Sequence, residues 1–127
     1  MPDASAAVEY LLRTDRGQAA ATVLDTENLV APELLDAEVL SILRRHVQRA
    51  VLTVERAEVA LDLLATWRVR RLAHLPLLQA AWAHRDNYSA YDALYVAAAQ
   101  TFGARLVTGD ARLVRAPRPP GLEVTLV

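Results

Sequence analysis

Four acidic residues stand far apart in the chain yet share one kind of place: Asp3, Glu38, Asp92 and Asp110. Asp110 follows the apolar run Leu106–Thr108 across Gly109, and Glu38 lies in a helical stretch after the run Leu29–Ala31. Asp92 falls in the first turn of a helical stretch opening at Ser89, and Asp3 follows whatever remains of a first strand. Carboxylates gathered at one point repel one another and raise each other's pKa, a cost that a divalent cation relieves. Mg²⁺ and Mn²⁺ prefer oxygen ligands. An ion held in this way lowers the pKa of a bound water and stabilises the leaving oxygen of a phosphodiester. Without the ion an acidic pocket repels nucleic acid, so the cation would serve binding as well as chemistry.

Taken singly, each acid has a plainer reading. Ser89-Ala90-Tyr91-Asp92 resembles a capping box with Asp in place of Glu. Asp110 suits the N-cap of the turn that follows it, and Asp3 alone reads as an exposed terminal residue. Glu38 has Leu34 and Ile42 four residues to either side on its helix line. A carboxylate there either finds a partner for its charge or snorkels to water from a border position.

Composition narrows the chemistry further. The chain has 127 residues, 54% of them apolar, which fits one folded domain over 1–127. Cysteine is absent, which removes disulfides, zinc–thiolate sites and thiol catalysis. All fourteen basic residues are arginine, so a phosphate loop requiring lysine is excluded. A net charge of −1 argues against a broad basic platform for nucleic acid, leaving local contacts. Arg45, seven residues beyond Glu38 on the same helix line, is a candidate phosphate contact or an ordinary solvated arginine. Arg112, two residues after Asp110, could reach RNA or an acid. Arg68, Arg70 and Arg71 read as a solvated edge, and His46, His74 and His84 lack metal-ligand spacing. No apolar run approaches the roughly 18 residues of a membrane span, and no secretory signal pattern opens the chain. A cytoplasmic protein with no membrane association is the expectation.

The elements that must position the acids follow from periodicity and breakers. Helices are predicted over 6–12, 16–24, 33–49, 53–67, 76–84, 89–102 and 110–114, and strands over 29–31, 69–72, 106–108 and 124–127. Short apolar strands alternating with helices predict an α/β domain, a parallel sheet with helices on both faces. Ligands in such sheets bind outside the carboxyl ends of the strands. Tyr91 and Tyr95 read as core packing, with base stacking a lesser alternative; Trp67 and Trp82 read as core or dimer-interface anchors. The hairpin 33–67 carries more apolar face than a small sheet covers, which predicts a partner surface.

Together these residues resemble a PIN domain, specifically a VapC-type toxin. The resemblance rests on Asp3-Ala4-Ser5-Ala6, Leu34-Leu35-Asp36-Ala37-Glu38-Val39, Tyr91-Asp92-Ala93-Leu94-Tyr95-Val96-Ala97 and Thr108-Gly109-Asp110-Ala111-Arg112-Leu113. These blocks appear in family order and span essentially the whole chain. The resemblance implies a PIN-like three-layer sandwich with a mostly parallel sheet of five strands flanked by helices. It implies Mg²⁺ or Mn²⁺ held by Asp3, Glu38, Asp92 and Asp110, with Ser5 and Thr108 supporting the site by hydrogen bonds. It further implies a metal-dependent endoribonuclease cutting RNA with an activated water, a VapB-like antitoxin as partner, and a homodimer. Members carry an apolar run before the first aspartate, whereas only Met1 and Pro2 precede Asp3 here. The first strand is therefore expected to be truncated, with Asp3 on a frayed end or the start lying upstream. That departure keeps a catalytically silent binding module as the alternative. A phosphotransfer domain with Asp3 as acceptor would need a lysine the chain lacks.

Overall fold

In a computed structural model describing residues 1–127, side-chain caps start most of the helices. Asp3, Thr14, Thr53, Ser89 and Asp110 accept backbone N–H bonds at the starts of α1 (Ala4–Leu11), α2 (Asp15–Leu24), α4 (Val54–Thr66), α6 (Ala90–Phe102) and α7 (Ala111–Arg115). Among the longer helices the exception is α3 (Leu34–Gln48), whose N-cap Glu33 offers no side-chain bond. His74 serves instead: its Nε2 accepts the Leu34 N–H at 2.9 Å. Gly103 ends α6 at φ +58°, a conformation glycine reaches without a Cβ penalty. The expected helix 76–84 is a 3₁₀ turn, Leu75–Leu77, followed by the short α5 (Leu78–Trp82).

Four strands form two parallel pairs. In one, β1 (Leu29–Pro32) runs beside β2 (Val69–Leu72) with Leu29 opposite Val69; in the other, β3 (Leu106–Thr108) runs beside β4 (Val124–Leu126) with Leu106 opposite Val124. The expected first strand is reduced to one parallel bridge, Pro2 opposite Val107. Val107 N–H donates to the Met1 carbonyl at 2.8 Å and Asp3 N–H to the Val107 carbonyl at 2.9 Å. This pairing uses no N–H at position 2, which is why a proline is tolerated there. Asp3 is thus bonded on its backbone rather than frayed.

The helix α6 is enclosed. Its run Ala93–Ala99 is buried throughout, and small side chains let it lie against α5, β1 and β3. On its other flank β3 meets α1, which also packs on α2, α3 and α4. The backbones of α1 and α2 touch: a Cβ on Gly17 would fall 1.9 Å from the Glu9 carbonyl oxygen.

Two residues depart from their expected places. Arg71 is not a solvated edge. Its guanidinium donates to both Asp36 carboxylate oxygens (3.0–3.3 Å) and to the carbonyls of Leu64, Trp67 and Val69, tying the end of α4 to the first turn of α3. Tyr91 is 59% exposed whereas Tyr95 is 2% exposed. Tyr91 sits in the first turn of α6, before the enclosed stretch begins. Trp67 is half-buried and stacks on Tyr10 with ring centroids 4.8 Å apart. Trp82 is 69% exposed and lines an apolar groove between α5 and α6 with Leu78, Tyr91 and Leu94. The α3–α4 hairpin exposes Leu40, Val51, Val54 and Val59.

Candidate active site

Asp3 is buried, 7% exposed, and its carboxylate is fully engaged. Oδ1 accepts the Ser5 hydroxyl at 2.6 Å and the Ala6 N–H at 2.9 Å, while Oδ2 accepts the Thr108 hydroxyl. The two hydroxyls then serve the turn after β3: Ser5 Oγ accepts the Gly109 N–H at 2.7 Å and Thr108 Oγ1 accepts the Asp110 N–H at 2.9 Å. A Cβ at Gly109 would stand 3.1 Å from Ser5 Oγ, so the close approach favours glycine. Burial drives the Asp3 carboxyl above its ordinary pKa, against the pull of its hydrogen-bond donors, and the Asp92 charge adds to the rise.

Glu38 and Asp92 are more sparsely held. Glu38 projects half-buried from α3, and its side-chain hydrogen bond comes from the Tyr95 hydroxyl, which donates to Oε2 at 2.8 Å. Burial raises the Glu38 pKa, opposed by that hydroxyl and reinforced by the charges of Asp3 and Asp92. Asp92 occupies the first turn of α6, where its N–H donates to Ser89 Oγ at 3.2 Å. Only that half of the capping box forms, and the Asp92 carboxylate carries no return bond to Ser89. Three acids from three separate stretches therefore lie within electrostatic reach of one another.

Asp110 has taken its own counter-ion. Its carboxylate caps α7 through the Arg112 N–H at 2.7 Å and holds the Arg112 guanidinium at 2.8 Å. The Arg112 hydrogen bond keeps the Asp110 carboxyl below its ordinary pKa. Of its two sequence alternatives, Arg112 reaches an acid. Arg45 is exposed and belongs to none of the chain's ion pairs.

Two contributors escaped sequence reasoning. Tyr95 was legible as buried, and its place three residues after Asp92 puts both on one helix face, but nothing in the sequence pointed its hydroxyl at Glu38. Arg16 donates to the Gly109 carbonyl at 2.7 Å and so steadies the turn bearing Asp110; no local pattern announces that contact.

The chemistry of the donor set fits a hard cation. Every candidate ligand atom is a carboxylate oxygen, and like charges held in partly buried surroundings are the arrangement such an ion relieves. No three His, Asp or Glu side chains stand ready-made as a metal-binding group, since Asp3 faces its donors and Asp110 faces Arg112.

Residues 1–119 match the family model of the PIN domain. The chain belongs to the PIN domain family. Its α/β fold, with parallel strand pairs and a first strand cut to one bridge, is this PIN domain's version of the expected sandwich. Among its relatives, Ribonuclease VapC3 of Mycobacterium tuberculosis is 44% identical over 115 residues, 90% of this chain and 84% of the relative. Ribonuclease VapC1 of the same organism is 46% identical over 98 residues, 76% of this chain and 73% of the relative. Ribonuclease VapC12 is 36% identical over 113 residues, covering 89% and 88%. In this PIN domain all four sequence-selected acids are present. Asp3 and Asp110 are heavily bonded, while Glu38 and Asp92 keep most of their oxygen lone pairs free.

Proposed function

We propose that this PIN domain is a metal-dependent endoribonuclease, the toxin of a VapBC-type toxin–antitoxin module, which hydrolyses RNA phosphodiester bonds. The observation that carries the reading is the mutual electrostatic coupling of Asp3, Glu38 and Asp92, brought together from α1, α3 and α6. The ribonuclease names of relatives aligned over most of the chain support it.

Asp3, Glu38, Asp92 and Asp110 would hold Mg²⁺ or Mn²⁺. When bound, the ion would lower the pKa of a water and stabilise the leaving oxygen of the phosphodiester. Ser5 and Thr108 fix the Asp3 carboxylate and the turn after β3 at once, so they set the distance between Asp3 and Asp110. The guanidinium groups of Arg45 and Arg112 would contact phosphate oxygens beside the acids. The silent-module alternative rests on the clipped first strand, which is one bridge here, yet Asp3 beside it is not frayed. That residue is instead buried and bonded to Val107, Ser5, Ala6 and Thr108.

A VapB-like antitoxin and a second copy of the chain are the partners this reading requires, and the exposed apolar faces give both a surface. No helix is long and apolar enough to cross a membrane; the cytoplasm, where RNA is met, is the compartment we assign. The test is cleavage of single-stranded RNA with Mg²⁺ or Mn²⁺, with and without EDTA, by wild type and Asp92→Asn. Cleavage by wild type that EDTA abolishes and Asp92→Asn lacks is expected. Equal cleavage by both proteins contradicts the site. Expression should arrest growth, with relief by the cognate antitoxin; a host that grows normally contradicts the toxin role.

A further inference from the structure

We infer that Tyr95 is a positioning residue for the metal site, its hydroxyl fixing which oxygen of Glu38 is left free for the ion; this rests on the metal reading above.

The argument begins on α6. Asp92 and Tyr95 are three residues apart and share a helix face, so one rigid element delivers a carboxylate and a phenol to the same place. The Tyr95 ring is locked in the core at 2% exposure, which leaves its hydroxyl almost no positional freedom. That hydroxyl donates to Glu38 Oε2 at 2.8 Å, across 57 positions of sequence. No other hydrogen bond or ion pair restrains the Glu38 side chain, so the phenol alone selects its rotamer and leaves Oε1 unengaged.

The phenol is suited to orienting rather than ligating. A phenol hydroxyl is a neutral donor at ordinary pH. A neutral hydroxyl spends its single proton on Oε2. Asp3 has Ser5 and Thr108 for the same purpose; Glu38 has Tyr95 only. Partners that orient metal-binding side chains commonly alter metal affinity about 10-fold or more when removed.

The experiment is a Mn²⁺ titration of the purified full chain by calorimetry, with Mn²⁺ electron paramagnetic resonance as the spectroscopic readout. Tyr95→Phe keeps the ring and removes the hydroxyl. It is expected to weaken Mn²⁺ binding about 10-fold and to change the Mn²⁺ spectrum. Tyr88→Phe is the control, because Tyr88 donates to the Pro117 carbonyl at 2.9 Å and its loss should leave the Mn²⁺ Kd unchanged. In a Glu38→Gln background, Tyr95→Phe should add less than about twofold, since coupled residues are not additive. Melting in EDTA separates folding from binding: a Tyr95→Phe protein that melts lower yet binds Mn²⁺ as wild type overturns the inference. So does a full 10-fold loss persisting in the Glu38→Gln background. Wild type that binds no Mn²⁺ overturns the metal reading and this inference with it. Wild type that binds while Tyr95→Phe is unchanged overturns this inference alone.

Discussion

The set of candidate acids has two unequal halves. Around Asp3, both carboxylate oxygens meet donors from α1 or β3, and the two hydroxyls among them in turn hold the Gly109–Asp110 turn. Around Glu38 and Asp92, one phenol serves Glu38 and no side-chain donor reaches the Asp92 carboxylate. The first half is built like a core: short side chains, backbone partners and burial. The second is built like a binding site, its charges close together and under-partnered. The difference separates the carboxylate tied into the fold from those left with free oxygens for the ion we propose.

Mutations can break that contrast. The largest effect belongs to the open half: Asp92→Asn should lower RNA cleavage about 1,000-fold, the several kcal/mol a bound ion contributes to such a barrier, while the melting temperature holds or rises. Measuring cleavage rate and thermal melting on one preparation checks both. In the bonded half the signs change. Thr108→Val strips a donor from a buried carboxylate and should cost about 2 kcal/mol of stability, read by urea denaturation. A stability loss at Asp92 as large as at Thr108 would erase the distinction between the halves.

Titration probes both halves at once. Asp3 and Glu38 have folded pKa values above their unfolded ones, so the folded chain binds protons more readily than the unfolded chain in that interval. Their contribution to stability therefore falls as pH rises from the ordinary carboxylate range, about 4, through the raised values. In EDTA the melting temperature should fall on their account as pH rises above the ordinary carboxylate range. Saturating Mn²⁺ should reverse that slope, because the ion binds the deprotonated carboxylates. Asp110, with its pKa lowered by Arg112, loses its contribution only on acidification below the ordinary range and leaves the interval clear. The smallest effect is expected at Arg112→Ala, which frees the Asp110 carboxylate from an exposed guanidinium. Mn²⁺ affinity should rise severalfold at most, with melting in EDTA unchanged; a weakened Mn²⁺ affinity would contradict the view of Arg112 as a competing cation.

Much of this was legible in the sequence. Val69–Leu72 and Leu106–Thr108 were readable to the residue, the second because its apolar run ends against Gly109. The place of Asp110 was readable because it follows the Leu106–Thr108 run across Gly109, and its capping of α7 was one of the readings the sequence offered. What escaped depends on tertiary partners. Asp3 taken alone looked exposed, since nothing local reports that Val107 lies beside it. Arg71 looked solvated, because the carbonyls that accept from it are spread over the end of α4 and the start of β2. The helix 76–84 was overestimated: neither His74 nor Leu77 supplies a side-chain cap, and the segment divides into a 3₁₀ turn and one short helix.

Anomalous diffraction from crystals of the chain soaked in Mn²⁺ tests the central claim most directly. The account predicts a peak in direct coordination with Glu38 and Asp92, linked to Asp3 and Asp110 directly or through water. Mn²⁺ bound elsewhere on the molecule, with none between these carboxylates, would contradict it.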